Sequence, residues 1–252
     1  MNLEKMRKAS NIVANILNDL EDFIKVGTTG IEINNFCEIK LKDYEATAGT
    51  LGYNGFPSSL CVSVNEVVCH GIPNKYKFQN GDLVKCDIVA VYDGHYGDSC
   101  RTYMVGGKNI KHEKIMNCAY ECMWKTIEMI KEGVNIQSLG ENMSLVAKTF
   151  GYNTIRDFTG HGIGTVMHKK PSIPFYKTNE SYNLKEGECI TIEPMVTCGN
   201  YHLKILPDNW SAIMIDGSPT AQFEHTILVT KNGYEVLTYN QYDNKNGKIK
   251  SI

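Results

Sequence analysis

Apolar positions recur every three or four residues over the first 24: Leu3, Met6, Ile12, Val13, Ile16, Leu20, Phe23 and Ile24 fall along one side of a helix. A second helix is predicted from Thr29, because Glu32 three residues later completes a capping-box pattern. It is expected to run towards Ala48, with Gly49 able to end it. The rhythm then changes. Residues 59–69 and 83–92 are rich in Val and Cys and read as strands. Asp93-Gly94 separates the second of these from residues 96–105 and signals a tight hairpin. Helices over about 111–132 and 137–150 follow, stopped by Gly133 and Gly151. Residues 155–240 read mostly as strands and loops. No Pro/Ser-rich linker or low-complexity stretch interrupts the chain, so a single domain over 1–252 is expected.

The order helix, helix, strands occurs twice, which prompts a search for a repeat. Leu51-Gly52-Tyr53-Asn54 is echoed by Phe150-Gly151-Tyr152-Asn153. His70-Gly71-Ile72 returns as His161-Gly162-Ile163. The stretch from Gly81 to Asp87 resembles that from Gly187 to Glu193, with an acid directly after the glycine and a second acid ending each. Each match alone is weak, but three in one order indicate a duplicated half, roughly 1–108 and 109–252. Facing halves would bring equivalent carboxylates to either side of one cleft.

Composition adds limits rather than chemistry. Hydrophobic residues make up 42% and charged residues 21%, the profile of an ordinary globular protein. A net charge of −2 gives no electrostatic reason to expect nucleic acid as a substrate. No apolar run approaches the ~20 residues a membrane helix needs. The N-terminus lacks the basic-then-apolar layout of an export signal. Nine cysteines with no C-x-x-C pair read as reduced thiols and point to the cytoplasm. Cys118 and Cys122 share a helix face and read as two semi-buried thiols.

The acids carry the chemistry. With Asp93-Gly94 as the turn, Tyr92 opposes His95 and Asp87 opposes Cys100. Alternation then places Asp87, Val89, Asp98 and Cys100 on one face, with the two aspartates as diagonal neighbours. Either aspartate alone would read as a solvated or capping residue. Two like charges in an apolar strand need a proton, a basic side chain or a divalent cation to compensate them. Glu193, in Ile190-Thr191-Ile192-Glu193-Pro194-Met195-Val196, and Glu224, in Ala221-Gln222-Phe223-Glu224-His225-Thr226, pose the same problem. Four such carboxylates cannot all stay ionised without cations. His161, within Gly160-His161-Gly162-Ile163-Gly164, reads as a ligand because the glycines let backbone approach closely. Oxygen ligands plus imidazole suit Mn, Fe, Co or Zn. His70 and His168 are candidates for substrate contact or proton transfer. His95, His112 and His202 receive no role, and His225 alternates away from Glu224 and reads as structural.

Taken together, these residues resemble the methionine aminopeptidase family, type I. The resemblance runs from about residue 3 to 240. It rests on the segment from Asn65 to Pro73, the Asp87/Asp98 hairpin, the glycine-flanked His161, Ile192-Glu193-Pro194-Met195 and Gln222-Phe223-Glu224-His225-Thr226. It implies an α+β pita-bread fold, with two pseudo-symmetric halves and a curved antiparallel sheet flanked by helices. It also implies two divalent ions, with Asp87 on one, Asp98 and Glu224 bridging both, and His161 and Glu193 on the other. A metal-activated water would attack the first peptide bond of a chain that begins with methionine and has a small second residue. Glu193 would shuttle its proton, His168 would contact the scissile amide, and His70 would lie near the departing amine.

Tyr53, Phe56, Cys61 and Trp210 match the methionine pocket, and Asn65, Val67 and Thr220 match a monovalent-cation site for Na or K. Two departures stand out: Met167 replaces the family's usual phenylalanine in that pocket, and Lys169-Lys170 replace its acids. The resemblance further implies nascent polypeptides as partners, transient ribosome association, a monomer and no membrane. Glu193 and Glu224 lie 31 residues apart, too close for the helical insertion of type II relatives. Alternatives are a proline-specific aminopeptidase or prolidase, which usually adds a large N-terminal domain, and a non-catalytic binding protein of the same fold, which typically loses metal ligands.

Overall fold

The first periodic stretch forms α1 (Leu3–Phe23), opened by Asn2, whose side chain accepts from the amides of Glu4 and Lys5. In this computed structural model, which describes residues 1–251, α1 is followed by α2 (Gly30–Asp43), β1 (Thr47–Ala48), β2 (Cys61–Val64), β3 (Val67–Cys69), β4 (Leu83–Tyr92) and β5 (His95–Met104). A second helix pair, α3 (Ile110–Ile127) and α4 (Ile136–Thr149), precedes β6 (Asn153–Thr154), β7 (Thr159–Ile163), β8 (Lys169–Pro174), β9 (Cys189–Ile192) and β10 (Met195–Thr197). Short strands β11 (Leu203–Ile205), β12 (Ala212–Met214) and β13 (Thr220–Gln222) come next. Then come β14 (His225–Val229), β15 (Tyr234–Val236) and the terminal helix α5 (Gln241–Lys245). The architecture is α+β, and every strand pairing between these elements is antiparallel.

Three boundaries differ from expectation, one of them in α3, which ends at Ile127 and not at 132 against Gly133. The capping box at Thr29 and Glu32 forms, but α2 stops at Asp43 instead of continuing towards Ala48. Glu45 turns left-handed at φ 56°, and Thr47 and Ala48 pair with Val91 and Ala90 of β4. Sheet pairing wins over helix propensity once the buried helical face ends at Leu41. Residues 59–69, read as one strand, break into β2 and β3 at Asn65, where φ is 50°.

The faces of β4 set the position of everything that follows. Val84, Cys86, Ile88 and Ala90 join Ile12, Ile16, Leu20 and Leu41 in a core beneath α1 and α2. Burying each Val, Ile or Leu among them contributes roughly 1.5–3 kcal/mol. Alternation therefore turns Lys85, Asp87 and Val89 to the other face. The hairpin has the predicted register: Tyr92 opposes His95, Asp87 opposes Cys100 and Val89 opposes Asp98. Asp93 and Gly94 both have positive φ, the geometry of a type I′ turn.

The two acid-bearing segments of the repeat fold alike. Gly81 and Gly187 are both left-handed, at φ 92° and 83°. The Asp82 carboxylate accepts from the Tyr76 hydroxyl and the Gln79 amide; Glu188 accepts from the Tyr182 hydroxyl and the Lys185 amide. Each acid thus closes the same local turn with a tyrosine six residues before it. The second core gathers Trp124, Met143, Phe175, Ile190 and Ile227 under α3 and α4. Buried Asp243 ties α5 to the second core, accepting from Tyr120 Oη at 3.1 Å and Trp124 Nε1 at 3.2 Å with His225 Nε2 3.2 Å away. That accounts for His225 as a structural residue.

Hydroxyl side chains stitch β5 to the segment from β13 into β14. Thr102 Oγ1 donates to Gln222 O at 2.6 Å and accepts from Gln222 N at 3.0 Å. Ser99 Oγ donates to Glu224 O, and Glu224 N donates to Cys100 O at 2.9 Å. Thr226 Oγ1 accepts from Asp98 N at 3.2 Å and donates to Asp98 O at 2.7 Å. Backbone at Asp98 and Glu224 is thereby held rigidly across one seam.

Candidate metal centre

A cleft of about 460 Å³ opens over this seam, and every residue expected in the metal shell, the imidazole pair and the methionine pocket lines it. Asp98, Glu193 and Glu224 are only 4%, 7% and 2% exposed, while Asp87 keeps partial access to the cleft. Ligand atoms of Asp98, His161 and Glu224 lie within 4.8 Å of one another. Glu193 Oε1 lies 3.5 Å from His161 Nε2, and Asp98 Oδ2 lies 3.7 Å from it.

Burial pushes the Asp87 carboxyl up to about 7. Burial, then the neighbouring carboxylates, pushes Asp98, Glu193 and Glu224 well above the carboxylate range. Burial drives His161 down to about 3, with His168 adding to it. Its Nδ1 lies 3.1 Å from Gly162 O, which assigns the proton to Nδ1 and aims the Nε2 lone pair at the acids. A lone pair facing carboxylate oxygens fits a cation. So does Asp98 Oδ1, buried without a hydrogen-bond partner. The donor set thus suits divalent ions.

The chain builds this shell with close backbone approaches. A Cβ on Gly160 would sit 2.6 Å from Thr191 O, and one on Gly162 would sit 2.4 Å from Lys170 O. Only glycine admits β7 this near to β8 and β9. Thr191 orients two ligands at once: its Oγ1 accepts from His161 N at 2.9 Å and donates to Glu193 Oε1 at 2.8 Å. Sequence reading missed Thr191, and the available signal was a hydroxyl two residues before Glu193 on the same strand face.

His70 and His161 occupy matching repeat positions but different surroundings. His70 is left-handed at φ 54° and packs edge-on against Phe158 and Trp210, with ring centroids at 5.2 and 6.3 Å. That puts it at the aromatic end of the cleft, away from the acids that His161 faces. Phe56 meets Trp210 edge-on at 5.1 Å. His168 lies against His161 at 4.3 Å, and its Nδ1 is 2.8 Å from the Tyr53 hydroxyl. Met167 is buried in the wall, and Lys169 and Lys170 stand exposed at the rim.

Asn65, Val67 and Thr220 do not line the cleft. Lys85 Nζ lies 2.9 Å from Asn65 O and 3.1 Å from Thr220 O, and Val67 O lies 3.3 Å from Thr220 Oγ1. Among the described residues no helix is long and apolar enough to cross a membrane, and all nine cysteines are free.

Comparison with known proteins gives a consistent picture. The profile of metallopeptidase family M24 matches residues 4–231. Methionine aminopeptidase A of Synechocystis is 41% identical over 238 residues, 94% of each chain. The crystal structure of methionine aminopeptidase from Rickettsia prowazekii superposes with a TM-score of 0.92 at 40% identity, covering 94% of this chain and 96% of that one. Prolidase from Pyrococcus furiosus is more distant, with a TM-score of 0.76 at 25% identity, covering 95% of this chain but 64% of that one.

Proposed function

The chain belongs to metallopeptidase family M24, and from that premise we propose how its cleft removes an N-terminal methionine. The fold is the α+β pita-bread arrangement of methionine aminopeptidases. The whole chain acts as one catalytic domain of two related halves, about 1–108 and 109–252. The matching turns at Asp82 and Glu188 support that division. The observation that carries the function is the convergence of three buried acids, half-buried Asp87 and one imidazole beside an aromatic pocket.

In this reading Asp87, Asp98, His161, Glu193 and Glu224 would supply the ligands for two divalent ions. Co, Mn, Fe and Zn all suit the set, and cellular supply decides among them. Such ions, when bound, polarise the substrate carbonyl and make water nucleophilic at neutral pH. The protein supplies position and proton management. Thr191 fixes Oε1 of Glu193 by hydrogen bonding, so the other carboxylate oxygen is the one free to take a proton from the attacking water. Burial lowers the pKa of His168, keeping its ring neutral. Nδ1 hydrogen-bonds the Tyr53 hydroxyl at 2.8 Å, and in the tautomer where the hydroxyl donates, Nε2–H is left to bond the scissile amide as charge develops on it. His70, also held neutral by burial, lies where the new amine leaves. Phe56, Cys61, Met167 and Trp210 enclose the methionine side chain, and substrates carry a small second residue. Nascent polypeptides, met transiently at the ribosome by a monomeric enzyme, are the substrates.

Methionine preference separates this reading from a proline-specific one. The protein is expected to cleave Met-Ala-Ser and to leave Ala-Pro intact. Trp210→Ala lowers kcat/KM for Met-Ala-Ser by about tenfold or more, through lost contact with the methionine side chain. Faster cleavage of Ala-Pro than of Met-Ala-Ser would sink the assignment.

A further inference from the structure

Lys85 is 2% exposed in the middle of β4, and no carboxylate lies within ion-pair distance of it among the described residues. A buried unpaired charge is costly, so its surroundings must compensate it. They do so with oxygen dipoles. Nζ lies 2.9 Å from Asn65 O, 3.1 Å from Thr220 O and 3.0 Å from Thr220 Oγ1. Thr220 Oγ1 in turn reaches Asn65 O at 3.0 Å and Val67 O at 3.3 Å, closing the cage. Neutral carbonyl and hydroxyl oxygens around one positive charge are the chemistry of an alkali-cation site.

We infer that Lys85 is a built-in cation: its ammonium replaces a free monovalent ion in this cage and ties the β2–β3 turn to β13. Three acceptors use all three hydrogens of a charged ammonium, whereas a neutral amine has only two. The tether has a place in the site's geometry. Lys85 lies two residues before Asp87 on the same strand face, and Thr220 begins the strand that leads to Glu224. Holding Asn65 and Thr220 together therefore fixes the approach of the strand bearing Asp87 to the segment bearing Glu224. Lys85 is a positioning residue, and it makes the chain independent of dissolved Na or K.

The test compares thermal unfolding and Met-Ala-Ser turnover of the metal-loaded protein in KCl, NaCl and tetramethylammonium chloride at equal ionic strength. The unsubstituted protein should melt within about 1 °C in all three salts and turn over equally. Lys85→Ala empties the cage. Its melting temperature should be lower in tetramethylammonium chloride and rise by about 5 °C in KCl or NaCl. Lys85→Met fills the volume without charge and should respond to neither ion. If Lys85→Ala does not fold in tetramethylammonium chloride, refolding in KCl is the same readout, and recovery supports the inference. Stabilisation of the unsubstituted protein by K or Na overturns it. So does a Lys85→Ala variant that ignores both ions, or a Lys85→Met variant that responds to either. The unfolding measurement stands even if the proposed peptidase chemistry fails.

Discussion

Glu193→Gln is expected to lower kcat/KM for Met-Ala-Ser by about 10³-fold or more while raising the melting temperature of the metal-stripped protein. The two effects have one cause. Glu193 is buried beside Asp87, and its charge is disfavoured first by burial and then by that aspartate. Glutamine keeps the acceptor for Thr191 Oγ1, so the local bond at 2.8 Å survives. What it loses is the negative charge that binds a cation and the oxygen that takes a proton. Without metal, loss of that charge relieves the cluster. Asp98→Asn should behave the same way, because Asp98 also sits among like charges with one oxygen unpartnered. Circular dichroism melts of stripped protein, paired with turnover of loaded protein, measure both effects. Near-normal turnover in either variant would remove that residue from the centre.

Chelated protein should lose stability as pH rises from 5 to 8, whereas metal-loaded protein should not. The carboxyl of Asp87 has an ordinary value of 3.8, and burial in the folded protein pushes it to about 7. Between those values the folded state holds a proton that the unfolded state has released. Stability therefore falls with rising pH across that window, and the change is complete above about 7. Asp98, Glu193 and Glu224 are raised in the same direction and extend the fall upward. Asp87 alone accounts for a few kcal/mol, or about 5–10 °C for a chain of this size. Bound cations compensate the charges, so the gap between loaded and stripped melting temperatures should widen with pH. A gap that stays constant between pH 5 and 8 would mean the acids do not form one cluster.

Much of this site was legible because it is written in local rules. The Asp93-Gly94 turn fixed the pairing of β4 with β5, and alternation then placed Asp87 and Asp98 on one face. Acids inside apolar strands at Glu193 and Glu224 stood out because burial without compensation is unfavourable. The structure adds what local rules cannot reach. Lys85 sits in the same apolar strand, and its role has no local signature because its partners lie 20 and 135 residues away. The hydroxyls of Ser99, Thr102 and Thr226 bond backbone atoms across the seam, and backbone partners leave no mark in a sequence. The end of α2 was misplaced because Thr47 and Ala48 pair with a strand more than 40 residues later in the chain. The difference between His70 and His161 also needed tertiary contacts, since their local sequences are alike.

Turnover depends on the cations that the five ligands hold. The most direct test is metal titration of chelator-stripped protein, with metal content and Met-Ala-Ser hydrolysis read on the same samples. The stripped protein should be inactive, and Mn or Co should restore turnover as occupancy approaches two ions per chain. Unchanged turnover by fully stripped protein, or none with any divalent ion, would contradict the account.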